Sequence, residues 1–307
     1  MSARERVVLD AVPSLGALYA KAAGSRLRAL LPGGKAAGGT LPEVEHHLEA
    51  LVADPARLVA YQRLMGDTVR DTLPSVFVHG MVFPVAMSVM VREDFPLPLL
   101  GMVHLANQVD HLRPISSTAT LSATARAADL RGHRAGTQLD VLVEVAEGGE
   151  PVWRGVSTYL ARGVWPGSRP GAPAEARAPF TIPGRTASWK LAADTGRAYA
   201  AVLGDYNPIH LSAASARALG MKRAIAHGMY LAGRALAGST PHDTGYKWGI
   251  EFATPVFLPS TVDVAFTDRG DHTVFSGWGA RSGKPHFSGS ITTMAQAPGS
   301  GRQSRRP

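Results

Sequence analysis

The 307-residue sequence contains no cysteine. That one absence removes disulfides, thiolate zinc sites and thiol nucleophiles together. It accords with a reducing cytoplasm, the compartment we expect, without requiring it. No run approaches the ~20 uncharged residues that span a bilayer. Asp10 interrupts the short apolar stretch after Arg4 and Arg6, so neither a membrane segment nor a secretory signal is expected. A His-Glu-x-x-His pattern is also missing, and His46-His47 cannot converge on one ion from a strand, so no metal and no cofactor are expected. Acidic residues are scarce, and the formal charge is +8. Residues 1–40 carry six Lys/Arg against two acids, and Arg302, Arg305 and Arg306 lie in the last eleven residues, which leaves about +1 for everything between. A duplex groove needs its charge gathered on a folded face, so no nucleic acid is expected.

What the sequence does hold is centred on Gly204-Asp205-Tyr206-Asn207-Pro208-Ile209-His210, answered by His227-Gly228-Met229. The first stretch sets a carboxylate and an imidazole five residues apart, with a proline that ends any regular helix. In the second, a glycine opens the apolar segment 229–236, which reads as a helix. A glycine there lets its N–H approach a substrate oxygen with the helix dipole behind it. An acid/base pair with a backbone oxyanion donor suits proton chemistry beside a carbonyl. An isolated Asp-x-Asn-Pro would read as an Asx-turn with a core histidine; the company of His210, Gly228 and the repeat described below favours catalysis.

Gly-Asp-x-Asn-Pro-x-His followed by His-Gly-Met resembles the MaoC-like (R)-specific enoyl-CoA hydratases and 3-hydroxyacyl-thioester dehydratases. The match covers roughly residues 186 to 293, with a weaker echo in the first half. The resemblance implies a hotdog fold, α+β in class, and reversible hydration of trans-2-enoyl thioesters in fatty acid metabolism. It implies Asp205 and His210 as the acid/base pair, Asn207 as an amide orienting one of them, and Gly228 as the oxyanion donor; by its residue type and place before Pro208, Asn207 equally suits a turn. His227 reads as a structural capping residue.

The chain in order is a repeat. Residues 1–40 form an extension, in which 14–31 has the pattern of a basic amphipathic helix packed on its own domain. A Gly-rich linker covers Pro32–Gly39, and an edge strand is expected over 41–51. Asp54-Pro55 then caps a helix to about Gly66. The segment from His79 to Met90 is almost wholly apolar, so a helix there is buried on all sides, kinked or delayed by Pro84. Strands are expected near 101–111, 117–127, 137–146 and 151–162, the last two joined by Glu147-Gly148-Gly149-Glu150 as a hairpin turn. After a Pro/Gly/Ala linker over 164–185, the order recurs over 186–296. A strand at 186–192 precedes a helix capped by Asp194, the Asp/His motif, a short helix at 212–219 and a buried helix from Gly228. Four strands follow, over 246–254, 260–267, 272–280 and 285–294, and a basic tail expected to be disordered begins at Ala297. Tyr61 precedes Asp67 as Tyr199 precedes Asp205, and His79-Gly80-Met81 matches His227-Gly228-Met229. Two tandem hotdogs would form a pseudo-dimer within one chain, with a homodimer of such chains left open.

The copies differ where the chemistry lies. Val69 stands for Asn207 and Thr72 for His210, so one active site, in the second half, is expected. The first half, 41–163, is expected to shape the acyl tunnel, with Met81, Phe83 and Met87 as its lining. A coenzyme A or acyl carrier protein thioester brings phosphates, which Lys222 and Arg223 are placed to meet. A hotdog thioesterase, or a non-catalytic acyl-thioester-binding protein, remains the alternative.

Overall fold

The computed structural model describes residues 4–29, 39–166 and 179–294. Most of the expected Pro32–Gly39 and 164–185 linkers and the tail from Ala297 lie outside them, as do the side chains of Arg26, Leu27 and Arg28. The first half comprises β1 (Glu5–Leu9), α1 (Leu15–Ala29), β2 (Val44–Leu51), α2 (Pro55–Met65), α3 (Ser75–Met90), β3 (Met102–His111), β4 (Leu121–His133), β5 (Gly136–Glu147) and β6 (Glu150–Arg162). The second comprises β7 (Ala187–Leu191), α4 (Thr195–Leu203), a 3-10 turn (Pro208–His210), α5 (Ala213–Ala218), α6 (Gly228–Leu236), β8 (Tyr246–Phe252), β9 (Ser260–Asp268), β10 (His272–Gly279) and β11 (Pro285–Thr293).

These strands form one eleven-stranded sheet in the order β1-β2-β4-β5-β6-β3-β8-β11-β10-β9-β7. With β1 set aside, both halves run inward in the same order: β2-β4-β5-β6-β3 on one side, β7-β9-β10-β11-β8 on the other. They meet where β3 pairs antiparallel with β8, from Ala106↔Glu251 to His111↔Tyr246. This is the double hotdog, each half folding its sheet around a central helix. No helix among the described residues is long and apolar enough to cross a membrane.

Several elements form for the reasons visible in their residues. Asp54 accepts hydrogen bonds from the Ala56 and Arg57 amides at 2.8 and 3.2 Å, Pro55 opens α2, and Gly66 closes it in the left-handed region at φ 72°. The β5–β6 hairpin turns at Gly148 and Gly149, both at positive φ. α3 is buried at every residue except the partly exposed Phe83.

Other expectations need correction. β2 is not an edge strand, because β1 pairs with it in parallel from Glu5↔Val44 to Leu9↔Leu48. Residues 1–40 are therefore no mere extension: β1 joins the sheet, and α1 packs on α3, burying Leu18 and Ala22. Asp194 occupies the start of α4, but its side chain makes no capping bond and its backbone is already helical (φ −95°, ψ 0°). α3 begins at Ser75, four residues before His79, and runs through Pro84 without ending. Surrounding apolar packing holds it there, although the proline supplies no N–H. His79-Gly80-Met81 thus lies inside a helix, whereas His227-Gly228 stands at the start of α6.

Candidate active site

Gly204 ends α4 in the left-handed region (φ 81°), which turns the chain sharply into Asp205. The Asn207 amide then donates to Asp205 Oδ1 at 3.2 Å, an Asx-turn that holds the carboxylate against its own backbone. Asn207 Oδ1 accepts from the Ile209 N–H, and Pro208 opens the 3-10 turn that ends on His210. The backbone of His210 lies directly against α4 at Gly196, where a Cβ would sit 2.1 Å from the His210 carbonyl oxygen. Only glycine permits that approach. His210 Nδ1–H donates to the Ile225 carbonyl at 2.8 Å, which leaves Nε2 as the lone-pair nitrogen.

His227 completes the cluster. Its Nε2–H donates to the Asp205 carbonyl at 3.0 Å and lies 3.7 Å from Asp205 Oδ2. Its ring stacks on His210 with centroids 3.6 Å apart. Gly228, next in sequence, is the first residue of α6, so its N–H has no partner within the helix. A Cβ there would meet the Phe252 ring at 2.8 Å, so the bare backbone is what faces the space. From α1, the Tyr19 hydroxyl donates to Asp205 Oδ1 at 2.5 Å.

Asp205, Asn207, His210, Gly228 and Tyr19 line one cavity of about 190 Å³. Its walls come from both halves: His79, Phe83, His104 and Tyr159 from the first, Phe252 and Val256 from the second. Burial pushes the Asp205 carboxyl up, yet His227, His210, the Tyr19 hydroxyl and the Asn207 amide together bring it below its ordinary value of 3.8. His210 is itself driven down to about 3 by burial and by the neighbouring His227, and His227 is lowered by burial as well. Both imidazoles are therefore neutral at pH 7 and exert no full charge on the carboxylate. The bonds from Tyr19 and Asn207 are the pulls that persist there.

The result is an ionised carboxylate and a neutral imidazole facing one cavity beside a backbone N–H that has no hydrogen-bond partner among the described residues. Such a set can hold a water, take its proton and stabilise an oxyanion. Donor atoms of Asp205, His210 and His227 lie within 4.8 Å of one another, close enough to surround a cation. Asp205 Oδ1, His210 Nδ1 and His227 Nε2 are already hydrogen-bonded, and we assign no metal to the cluster.

The structure gathers Asp205, Asn207, His210 and Gly228 at one cavity, and of the two readings of Asn207 the turn residue fits its contacts better than the orienting amide. Its amide oxygen caps the 3-10 turn and reaches neither Asp205 nor His210; its backbone N–H holds the carboxylate. His227 does not cap α6 with its side chain and belongs to the cluster. Phe83 lines the cavity, whereas Met81 and Met87 are packed into the core away from it. Their flexible side chains fill space around α3 instead. Lys222 and Arg223 are exposed and outside the cavity; Arg223 lines an adjoining groove, its guanidinium over the Phe257 ring at 5.8 Å. Tyr19, His79, His104 and Tyr159 were not read from the sequence. Apart from the His-Gly-Met match at His79, which points to a helix start and not to a cavity wall, nothing local marks them, because each reaches the cavity through packing between distant elements.

The chain is 30% identical over 272 residues to 3-hydroxyacyl-thioester dehydratase X of Mycobacterium tuberculosis, covering 84% of this chain and 95% of that protein. The MaoC like domain model matches residues 167–282, the stretch that holds the whole Asp/His motif and the start of α6. The chain belongs to the MaoC-like dehydratase family. A crystal structure of HtdX from Mycobacterium tuberculosis superposes on this MaoC-like chain with a TM-score of 0.72 at 28% identity, covering 81% of this chain and all of that one. A MaoC-like dehydratase from Phytophthora capsici gives a TM-score of 0.61 at 18% identity, covering 82% of this chain and 95% of that one, which is likeness of fold alone. An acyl-ACP thioesterase from Bacteroides thetaiotaomicron shares the fold too, with a TM-score of 0.54 at 9% identity over 81% of this chain and 98% of that one. Fold does not separate the two chemistries; the residues at the cavity must.

Proposed function

We propose that the chain catalyses the reversible hydration of trans-2-enoyl thioesters to (R)-3-hydroxyacyl thioesters in fatty acid metabolism. The observation that carries this reading is the convergence of an ionised Asp205, a neutral His210 and the unpaired Gly228 N–H on one cavity. In the hydration direction, Asp205 and His210 hold a water. Its oxygen adds to Cβ while the pair takes the water's proton, and the electron pair of the double bond moves onto the thioester oxygen. Gly228 N–H, at the positive end of α6, stabilises that enolate oxygen. The pair then returns a proton to Cα, which restores the thioester carbonyl and leaves the enzyme unchanged. Dehydration is the same path reversed.

A second groove supports coenzyme A as the carrier. It occupies about 740 Å³ and shares Thr254 and Pro255 with the catalytic cavity. Lys190, Arg223, Arg281 and Lys284 line it, and no Asp or Glu does. Four cations in a lining that holds no carboxylate suit the phosphates of a nucleotide handle. Lys222, on the same loop as Arg223, adds to the field without lining the groove. The acyl chain would run between Phe83 and Phe252, with a wall from the otherwise silent first half.

Incubation with crotonyl-CoA decides the reading. Loss of the enoyl absorbance with formation of (R)-3-hydroxybutyryl-CoA is the expected result. Release of free CoA would replace it with a thioesterase, and binding without turnover would make the chain an acyl-thioester carrier.

A further inference from the structure

α1 precedes both repeats, yet it reaches into the site. Leu18 and Ala22 bury their side chains, and Leu15 lies over Gly204, where a Cβ would be 3.5 Å from its methyl. That packing seats the helix across the turn that presents Asp205. On the same face, Tyr19 directs its hydroxyl into the cavity and onto Asp205 Oδ1, across 186 residues of sequence. Burial and the facing carboxylate keep the phenol far above its ordinary pKa of 10, so it is a neutral donor throughout the working range.

We propose that Tyr19 is a positioning residue for hydration: by occupying Asp205 Oδ1 it leaves Oδ2 as the carboxylate oxygen turned to water. The proposal rests on the hydratase reading of the site and adds to it a working part from outside both hotdog repeats. The geometry carries it. Oδ1 receives two donors, the Tyr19 hydroxyl and the Asn207 N–H, whereas Oδ2 accepts no hydrogen bond among the described residues and lies 3.7 Å from His227 Nε2. A hydrogen bond from a phenol to an ionised carboxylate in a poorly solvated cavity is of the strong, charge-assisted kind. Other titratable groups face Asp205 from every side: His210 and His227 from its own half, Tyr199 from α4, Tyr159 from β6, His79 from α3 and His104 from β3. All are neutral at pH 7, and among them only His227 bonds to Asp205, at its backbone carbonyl. Among the described residues no other side chain donates to the Asp205 carboxylate.

Tyr19→Phe in the full-length protein tests this, because it removes one oxygen and keeps the ring that packs α1. We expect kcat for crotonyl-CoA to fall about 10- to 100-fold, the scale of one charge-assisted hydrogen bond. The acid limb of kcat/KM should move to higher pH, since the lost donor had favoured the ionised carboxylate. Replacing Tyr19 with 3,5-difluorotyrosine keeps the hydroxyl as a stronger donor, so the acid limb should move the other way. A purely structural tyrosine would move neither limb, and unchanged limbs in both variants overturn the proposal. Carbon-13 NMR titration of the Asp205 carboxyl gives the same answer without catalysis. If wild type hydrates no enoyl thioester, the hydratase reading fails, while a carboxyl titration that differs between wild type and Tyr19→Phe still upholds the contact. An identical titration in a folded Tyr19→Phe rejects it.

Discussion

In the first half, Thr72 bridges Ser116 and Leu73 donates to the Ile115 carbonyl before Pro74 leads into α3 at Ser75. In the second, Ile225 bridges Phe257 and Ala226 donates to the Val256 carbonyl before His227 leads into α6 at Gly228. Pro74 and His227 share one backbone conformation, at φ −62°, ψ 143° and φ −62°, ψ 136°. The counterpart of His227-Gly228 is therefore Pro74-Ser75, and the His79-Gly80-Met81 match in sequence is five residues out of register. Gly80, the sixth residue of α3, has its N–H bonded inside the helix and cannot serve an oxyanion. Ser75, where Gly228 has its counterpart, is filled in: its hydroxyl accepts from the indoles of Trp153 and Trp248, each at 2.8 Å. Asp67, the counterpart of Asp205, is tied to Arg70 at 3.2 Å, in a remnant cavity of about 30 Å³ against about 190 Å³ opposite. Only seven residues separate Asp67 from Pro74, whereas 22 separate Asp205 from His227. The longer excursion carries the 3-10 turn and α5, and with them the room and the histidine. One backbone plan yields a site or a plugged core according to what fills that loop.

The contrast breaks first at the acid/base pair. Asp205→Asn and His210→Ala should each lower kcat by at least about 10², the usual worth of a positioned acid or base, with the melting transition retained. Near-normal turnover in either folded variant would remove that residue from the chemistry.

Changing the two helix starts should then give opposite results. Gly228→Ala keeps the N–H but drives a methyl into Phe252, and kcat should fall about tenfold, the equivalent of roughly 1.4 kcal/mol. Ser75→Ala should leave kcat for crotonyl-CoA near wild type and lower stability by about 2–4 kcal/mol, because two buried indole N–H groups lose their acceptor. Urea denaturation beside steady-state kinetics separates them.

A pH titration of stability extends the comparison to charge. Burial holds His79 and His111 near 4 and His104 and His210 near 3, against 6.5 when unfolded. Between those values the unfolded chain binds more protons, so stability should rise with pH from about 3 to 6.5 and level off above. Three of these four histidines belong to the first half, so His111→Gln should flatten the slope while crotonyl-CoA turnover persists. A melting temperature independent of pH across that window would mean the rings are not buried neutral.

The smallest effect belongs to the vestigial carboxylate. Asp67→Asn should not change kcat, and the loss of its partly exposed pair with Arg70 should cost less than about 1 kcal/mol. A tenfold fall in kcat would show that the first half retains chemistry.

Much of this was legible in the residues because it is local. The cap at Asp54, the hairpin at Gly148-Gly149, the Asx-turn at Asp205 and the helix start at Gly228 are each set by groups a few residues apart. So is the loss of Asn and His from the first copy. Local signals also misled: three identical residues at His79 outweighed the true register of α3, and Asp194 looked like a cap it does not provide. The pairing of β1 with β2, the withdrawal of Met81 and Met87 into the core, and the stacking of His227 on His210 lay beyond any window of sequence. Sequence alone thus determined the fold class, the repeat and the half that holds the Asp/His motif, since each depends on short-range backbone chemistry or composition. Tertiary structure alone decided that Tyr19 reaches Asp205, that His79 and His104 wall the cavity, and that Trp153 and Trp248 close its counterpart. The hydrogen bonds among those contacts join residues from 78 to 186 positions apart, which meet only because the sheet curls around its two helices and packs them against one another.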